Sequence, residues 1–250
     1  MSLAGKNAVV TGGASGLGAA SVLALAEAGA DVFFTWHSNA KAGAELIAKI
    51  RKLGRKADGC ALDATDPIRV KSFALQVQQF FPQVDILFNN AGDMVKRVSL
   101  AEITPAYVKQ VMDVNFLSTI LVSQAIVPMM TRGGSIINMS SLAARNGGGP
   151  GAAVYAAAKG AVLSLSRGWT KELADKNIRV NCVSPGVINT DFHARHSKPD
   201  QLMPQMAREL PARKAGEAAD VARAVVFLAG EGSGFIDGES IEINGGMYSV

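Results

Sequence analysis

Short apolar runs alternate with amphipathic stretches along the whole 250-residue chain, and this alternation constrains the fold more than any other feature. Strand-like runs stand at Asn7–Val10, Asp31–Trp36, Ala57–Leu62, Val84–Asn89, Ser135–Met139, Ile178–Val183 and Ser240–Ile243. Helical patterns lie between them, near 16–29, 39–53, 67–81, 102–131, 152–175 and 217–229. A strand that is apolar throughout has both sheet faces covered. Strand–helix–strand repeats wind right-handed crossovers onto a parallel sheet. The pattern predicts an α/β fold, a doubly wound parallel sheet of seven strands in a single domain over 1–250. That length suits one such domain. The one long irregular stretch, about 187–215, falls after a late strand and is read as a substrate-covering segment at the carboxyl edge of the sheet, where ligands bind in such folds.

Composition removes several other classes. With 48% hydrophobic and 18% charged residues the chain builds a large core, which excludes a disordered chain, a collagen-like repeat and a small disulfide scaffold. Lys and Arg number 25 against 21 Asp and Glu, a formal charge of +4, and the basic residues are scattered. Their longest cluster, Arg51-Lys52-Leu53-Gly54-Arg55-Lys56, ends a helical pattern where cations suit the helix dipole, so no nucleic-acid partner is expected. Cys60 and Cys182 lie in apolar runs without CxxC spacing, and His193 and His196 have only Asp191 nearby, so no metal is expected. The chain starts without the features of a signal peptide. No stretch reaches the roughly 18 uninterrupted apolar residues of a membrane span. A soluble cytoplasmic protein without a membrane partner is expected.

The first strand runs into Thr11-Gly12-Gly13-Ala14-Ser15-Gly16-Leu17-Gly18 and then directly into a helical pattern. Glycines there permit a tight turn and let backbone N–H groups approach a pyrophosphate at a helix N-terminus. Between the first strand and first helix of a βαβ unit, this is a nucleotide-binding signal. The spacing is T-G-x-x-x-G-x-G.

At this point the sequence resembles the classical short-chain dehydrogenase/reductase family, with likeness to its 3-oxoacyl thioester reductase and glucose dehydrogenase branches. Further motifs carry the resemblance: Asn89-Asn90-Ala91-Gly92 after the fourth strand, Leu62-Asp63-Ala64-Thr65-Asp66 at the end of the third, Ser184-Pro185-Gly186 followed by Ile188 and Thr190, and the closing Ile243-Asn244-Gly245-Gly246. The resemblance implies a Rossmann-type fold that binds NAD(P). It implies that Gly12, Ser15, Gly16, Leu17, Gly18, Asp63, Ala64, Asn89, Ala91, Gly92, Pro185, Gly186, Ile188 and Thr190 line the cofactor, and that the chain forms a homotetramer.

Tyr155 and Lys159 are four apart in a helical stretch and share one face. A phenol titrates near ~10 in water, too high to exchange protons readily at neutral pH. A neighbouring ammonium, with the positive charge of an oxidised nicotinamide, is expected to lower that value and make Tyr155 a general acid/base. Ser141 is expected to hydrogen-bond the developing oxyanion. The resemblance further implies that Lys159 binds the nicotinamide ribose and that Asn115 completes a proton relay through water. Ser141 stands fourteen residues before Tyr155 where the family commonly has thirteen, and glycine-dense 146–151 absorbs the extra residue. Ser140, one position earlier, is the alternative.

Cofactor choice is expected at the end of the second strand. Trp36 stands at the position of the acid that usually favours NAD, followed by His37 and Ser38. No carboxylate there repels a 2′-phosphate, so NADP(H) is favoured slightly over NAD(H). The expected activity is interconversion of a secondary alcohol and a ketone, the substrate being a 3-oxoacyl thioester, a sugar or polyol, or a small ketone. The rival reading is a catalytically silent nucleotide-binding sensor.

Overall fold

A computed structural model describes residues 2–196 and 199–249 and, within them, leaves out the side chains of His193, Ala194, Pro199 and Ala207. The first half of the chain runs β1 (Asn7–Val10), α1 (Gly16–Glu27), β2 (Asp31–Trp36), α2 (Ala40–Lys52), β3 (Ala57–Ala61), α3 (Pro67–Phe80) and β4 (Ile86–Asn89). The second runs α4 (Pro105–Met112), α5 (Ser118–Ile126), β5 (Gly134–Met139), α6 (Ala143–Asn146), α7 (Ala153–Glu172), β6 (Ile178–Pro185), β7 (Ile188–Asn189), α8 (Asp191–His196), α9 (Pro199–Glu209), β8 (Gly216–Glu217), α10 (Ala218–Ala229) and β9 (Ser240–Ile243). Seven strands form one sheet in the order β3-β2-β1-β4-β5-β6-β9, every pair parallel. Chain order reverses between β1 and β4, which opens a crevice at the carboxyl ends of those two strands.

Alternation along each strand divides the core into two layers. Ala8, Val10, Val32, Phe34 and Phe88 face α1, α2 and α10, while Val9, Phe33, Leu87 and Ile136 face α3 and α5. Phe34 is wholly buried, and truncating such a ring to alanine costs about 3–5 kcal/mol. Local signals set the helix starts. The Asp66 carboxylate accepts from Ile68 N and Arg69 N ahead of Pro67, and Thr104 Oγ1 accepts from Tyr107 N ahead of Pro105. Glu217 and Asp220 form a reciprocal capping box on α10.

The pattern over 102–131 is helical as expected: Pro105–Met129 is one continuous run in which a π-helical turn at Asp113–Leu117 joins α4 to α5 and a 3₁₀ turn at Val127–Met129 ends it, with a separate 3₁₀ turn at Leu100–Glu102 ahead. The run Pro105–Met129 has a mean hydropathy of 1.4 and the length to cross a membrane, yet Val122 and Ile126 in it are buried among α3, β4 and β5 as part of the sheet's cover. One sequence expectation is corrected: the stretch 187–215 is not irregular. It contains α8 and α9, with Pro204 inside the latter, and is bracketed by the small parallel pair β7–β8. The prolines of the segment hid these helices, although Leu202, Met206 and Leu210 recur at helical spacing along and just past α9. Ala212 N donates to Gly245 O, and Met206 and Leu210 are buried.

Candidate active site

One cleft of about 1170 Å³ runs across the carboxyl ends of the strands, from the end of β2 to α8 and α9. Its floor is the turn after β1, stitched to the turn after β4. Thr11 Oγ1 accepts from Asn90 N and Ala91 N at 3.0 Å each, and Asn90 Nδ2 donates to the carbonyls of Thr11 and Gly12 at 3.0 Å each. The glycines are required by this geometry. Gly12 and Gly16 have φ of +63° and +51°, and a Cβ on Gly18 would stand 2.1 Å from the Gly12 carbonyl oxygen. A Cβ on Gly16 would find only Thr190, at 4.0 Å, so it would project into the cleft. Gly16 thus leaves a space beside the N-terminus of α1, which suits the phosphates of a dinucleotide.

Most residues singled out from sequence meet along this cleft. Gly12, Ser15, Gly16, Leu17 and Gly18 line it beside Thr190. Trp36, His37 and Ser38 line one end with Asp63 and Ala64. Ala91, Gly92, Pro185, Gly186 and Ile188 border its middle, where Ser141, Tyr155 and Lys159 also lie. Thr65 Oγ1 and N donate to Asp63 Oδ1 at 2.7 and 3.0 Å, and these bonds hold the Asp63 carboxyl below its ordinary range. The Trp36 ring fills the space that a side chain on Gly43 or Gly59 would need, with Cβ positions 2.6 and 2.8 Å from the ring.

Asn89 and Asn115 do not line the cleft. Asn89 turns into the protein, where its Nδ2 donates to Ser123 Oγ at 2.9 Å and to Asn138 Oδ1 at 2.8 Å. The strand pleat aims Asn89 at the helix layer and leaves Asn90, which the motif reading passed over, to tie down the glycine turn. Asn115 is fully buried in the π-helical turn, the kind of helix defect that recurs at functional sites. Its Nδ2 donates to Asp93 O at 2.7 Å and Val111 O at 2.9 Å, while its Oδ1 has no partner among the described residues. Beside Gly92, a Cβ would meet Asn115 Oδ1 at 2.7 Å and Lys159 Nζ at 2.9 Å, so both polar atoms aim at one spot. A buried acceptor left open there fits a bridging water.

Ser141 lines the cleft beside Tyr155, and its hydroxyl favours the ionised phenol. Ser140 does not take that place, because its Oγ donates to the Lys159 carbonyl at 3.0 Å inside the core. Lys159 does not lower the phenol as expected. Burial pushes Tyr155 up to about 12, Asp93 adds to the rise, and the Ser141 hydroxyl opposes it. Lys159 lies over the ring rather than at the hydroxyl, with Nζ 5.8 Å from the ring centroid and donating to Met139 O at 3.0 Å. Burial also acts on Lys159, pushing its amine down to about 8.

His196 bonds Asp93, and among the described residues no three His, Cys, Asp or Glu side chains converge as metal ligands. The side chain of His193 lies outside the described residues. Sequence reasoning also missed Met94, Val95, Phe192, Arg195 and Met247 in the cleft wall. They sit on loops, short helices and the C-terminal tail, where no periodicity reports orientation.

The comparisons with known proteins agree with this geometry. A family model described as enoyl-(acyl carrier protein) reductase matches residues 12–248. A 3-oxoacyl-[acyl-carrier-protein] reductase of Thermotoga maritima is 35% identical over 254 residues, covering 99% of each chain. A blue fluorescent protein from a metagenomic library, solved in complex with NADPH, superposes with a TM-score of 0.92 at 34% identity over 100% of both chains. A short-chain dehydrogenase from Burkholderia cenocepacia in complex with NADP superposes at 0.91, also at 34% identity, over 98% of this chain and 99% of that one. The chain belongs to the short-chain dehydrogenase/reductase family of NAD(P)-dependent oxidoreductases.

Proposed function

We propose that this protein interconverts a ketone and a secondary alcohol with Tyr155 as general acid/base, and that it takes NADP(H) in preference to NAD(H). The observation that carries the reading is that Ser141, Tyr155 and Lys159 line one cleft that is continuous with the glycine turn. The nicotinamide cofactor supplies a hydride when bound in its reduced form and a positive charge when oxidised. Gly12, Gly16 and Gly18 would hold its phosphates, with Ser15 and Leu17 beside them. Asp63, Ala64, Trp36, His37 and Ser38 would flank the adenosine end, and Ala91, Gly92, Pro185, Gly186, Ile188 and Thr190 the nicotinamide end.

The chain's own groups divide the proton work. At neutral pH a phenol raised to about 12 keeps its proton, so Tyr155 is poised as the acid for carbonyl reduction. Tyr155 Oη gives that proton to the carbonyl oxygen, while Ser141 Oγ donates a hydrogen bond to the same atom. Lys159, brought down to about 8, is able to replenish the phenol through its ammonium. Asn115 Oδ1, open and facing the same spot as Lys159 Nζ, orients a water that links this pair to solvent. A silent sensor is disfavoured, since that role has no need of the Asn115, Ser141, Tyr155 and Lys159 set.

Trp36 in place of a carboxylate supports NADP(H), because nothing at the end of β2 repels a 2′-phosphate. Substrate classes consistent with the reading are 3-oxoacyl thioesters, sugars or polyols, and small ketones. We also take 1–250 as one catalytic domain, cytoplasmic and homotetrameric. The outward positions Ala157, Ser164 and Gly168 of α7 are small and exposed, which suits helix pairing between subunits. The direct test is consumption of NADPH with a panel of these carbonyl compounds, followed by loss of the reduced cofactor's absorbance. Silence across the whole panel would refute the reading.

A further inference from the structure

Opposite the nicotinamide end, the cleft wall is made by loop 93–98 and helix α8, and one carboxylate ties them together. His196 Nε2 bonds Asp93 Oδ1 at 2.7 Å, and the His196 side chain is only 6% exposed. Arg195 Nη1 reaches Asp93 Oδ2 at 3.4 Å, and Arg97 Nε donates to the His196 carbonyl at 3.0 Å. The loop that receives α8 is itself rigid. Lys96 N donates to Met94 O at 2.8 Å across Val95, whose φ is +66°. This is the positive-φ form of the γ-turn, rare and strained, and a β-branched residue there is an outlier. Tyr107 Oη donates to Lys96 O at 2.8 Å and Val98 N to Gly151 O at 3.0 Å, which hold the turn from two sides. Strain of this kind persists only where the surroundings over-determine it.

The tie seats Phe192. Its ring centroid lies 4.9 Å from that of His196 and 6.1 Å from that of Tyr155. Met94, Val95, Ala143 and Ala152 complete an apolar wall packed around Tyr155. Several polar groups near this wall are engaged within the protein. Arg97 donates to the Pro150 and His196 carbonyls, Asn146 Oδ1 accepts from Gly148 N, and Asp93 is held by His196 and Arg195. A hydroxyl-rich group lying against Phe192, Met94, Val95, Ala143 and Ala152 would give up water without finding partners on those side chains.

We propose that Phe192, seated by the Asp93–His196 contact, selects ketones carrying an alkyl or aryl group over polyhydroxylated ketones, with Asp93 and His196 as positioning residues. The inference rests on the assignment of Tyr155 as the proton donor, since the wall is defined by its place around that ring.

The test compares acetophenone with fructose, each reduced with NADPH. The wild-type protein prefers acetophenone by about tenfold or more in kcat/KM, within the discrimination an apolar pocket gives. Phe192→Ser and His196→Ala reduce that ratio by about tenfold, mainly through KM for acetophenone. His196→Gln keeps an N–H that reaches the carboxylate and largely restores the ratio. NADPH affinity, read by fluorescence, is the same in all four proteins. Wild-type preference for fructose, or an unchanged ratio in either disrupting variant, overturns the proposal. A readout without turnover is limited trypsin digestion at Arg195 and Arg208, which quickens in His196→Ala and not in His196→Gln. Equal rates overturn the tie. Tyr155→Phe reports separately on the acid/base assignment, because its full activity removes that assignment while the selectivity ratio still measures Phe192. If the wild type reduces neither ketone, the selectivity claim falls, and the digestion rates alone decide the tie.

Discussion

Lys159 Nζ sits 5.8 Å from the centre of the Tyr155 ring and donates to the Met139 carbonyl, not to the phenol oxygen. Both side chains are buried, so each neutral form is favoured: the phenol is pushed up to about 12 and the amine down to about 8. The protein's own groups therefore hold a proton on the phenol.

Tyr155→Phe removes the transferable proton and leaves the ring packed against Phe192. Turnover is expected to fall by about 10²–10⁴, the usual contribution of a positioned acid/base. NADPH affinity by fluorescence titration should stay within a few-fold. Wild-type turnover in this variant would exclude the assigned role.

Lys159→Met should raise stability while weakening cofactor binding. The folded amine titrates near 8 against the usual 10.5, so the unfolded chain binds the proton more tightly. The penalty on folding is complete below about 8 and fades as pH rises toward 10.5. Melting temperature is thus expected to increase on substitution at pH 7 and to increase less at pH 10. An equal gain at both values would show that burial of the charge is not the cause.

The two glycines at the start of α1 should separate by mechanism. Gly18→Ala forces a Cβ against the Gly12 carbonyl oxygen and is expected to destabilise the protein by about 1–3 kcal/mol or more, on the order of an overpacked core site. Gly16→Ala meets no atom nearer than 4.0 Å but keeps a φ of +51°, which costs about 1–2 kcal/mol. Its larger effect is on cofactor affinity, because the methyl points into the cleft. Chemical denaturation and NADPH titration on both variants check this ordering.

Trp36→Asp places a carboxylate where a 2′-phosphate would lie. The ratio of NADPH to NADH affinity is expected to move toward NADH by about tenfold or more, the scale of one uncompensated like-charge contact. Some stability is lost as well, since the indole fills the space left by Gly43 and Gly59. A tenfold preference of the wild-type protein for NADH would already contradict the cofactor assignment.

The main sheet was legible because burial on both faces leaves an unmistakable record: seven apolar runs, each found within about two residues of its strand, in the order a doubly wound fold demands. The Tyr155–Lys159 spacing was legible for a similar reason, since a helix alone puts i and i+4 on one face. Asn89 was misread because the motif does not say which of two adjacent asparagines the strand pleat turns toward the cleft. The π-helical turn that buries Asn115 leaves no mark on an apolar period, and in α8 and α9 the prolines at 199 and 204 and the shortness of α8 masked the helices.

What the sequence by itself determined is the layered α/β frame, the glycine turn and the helix face carrying the reactive pair, because these depend on periodicities of two and 3.6 residues and on local backbone freedom. What only the tertiary structure decided is the proton balance between Tyr155 and Lys159, the openness of Asn115 Oδ1 and the tie from Asp93 to His196 across a hundred residues of chain. Those properties arise from burial and from contacts between segments distant in sequence, and desolvation belongs to the folded packing rather than to any stretch of residues read alone.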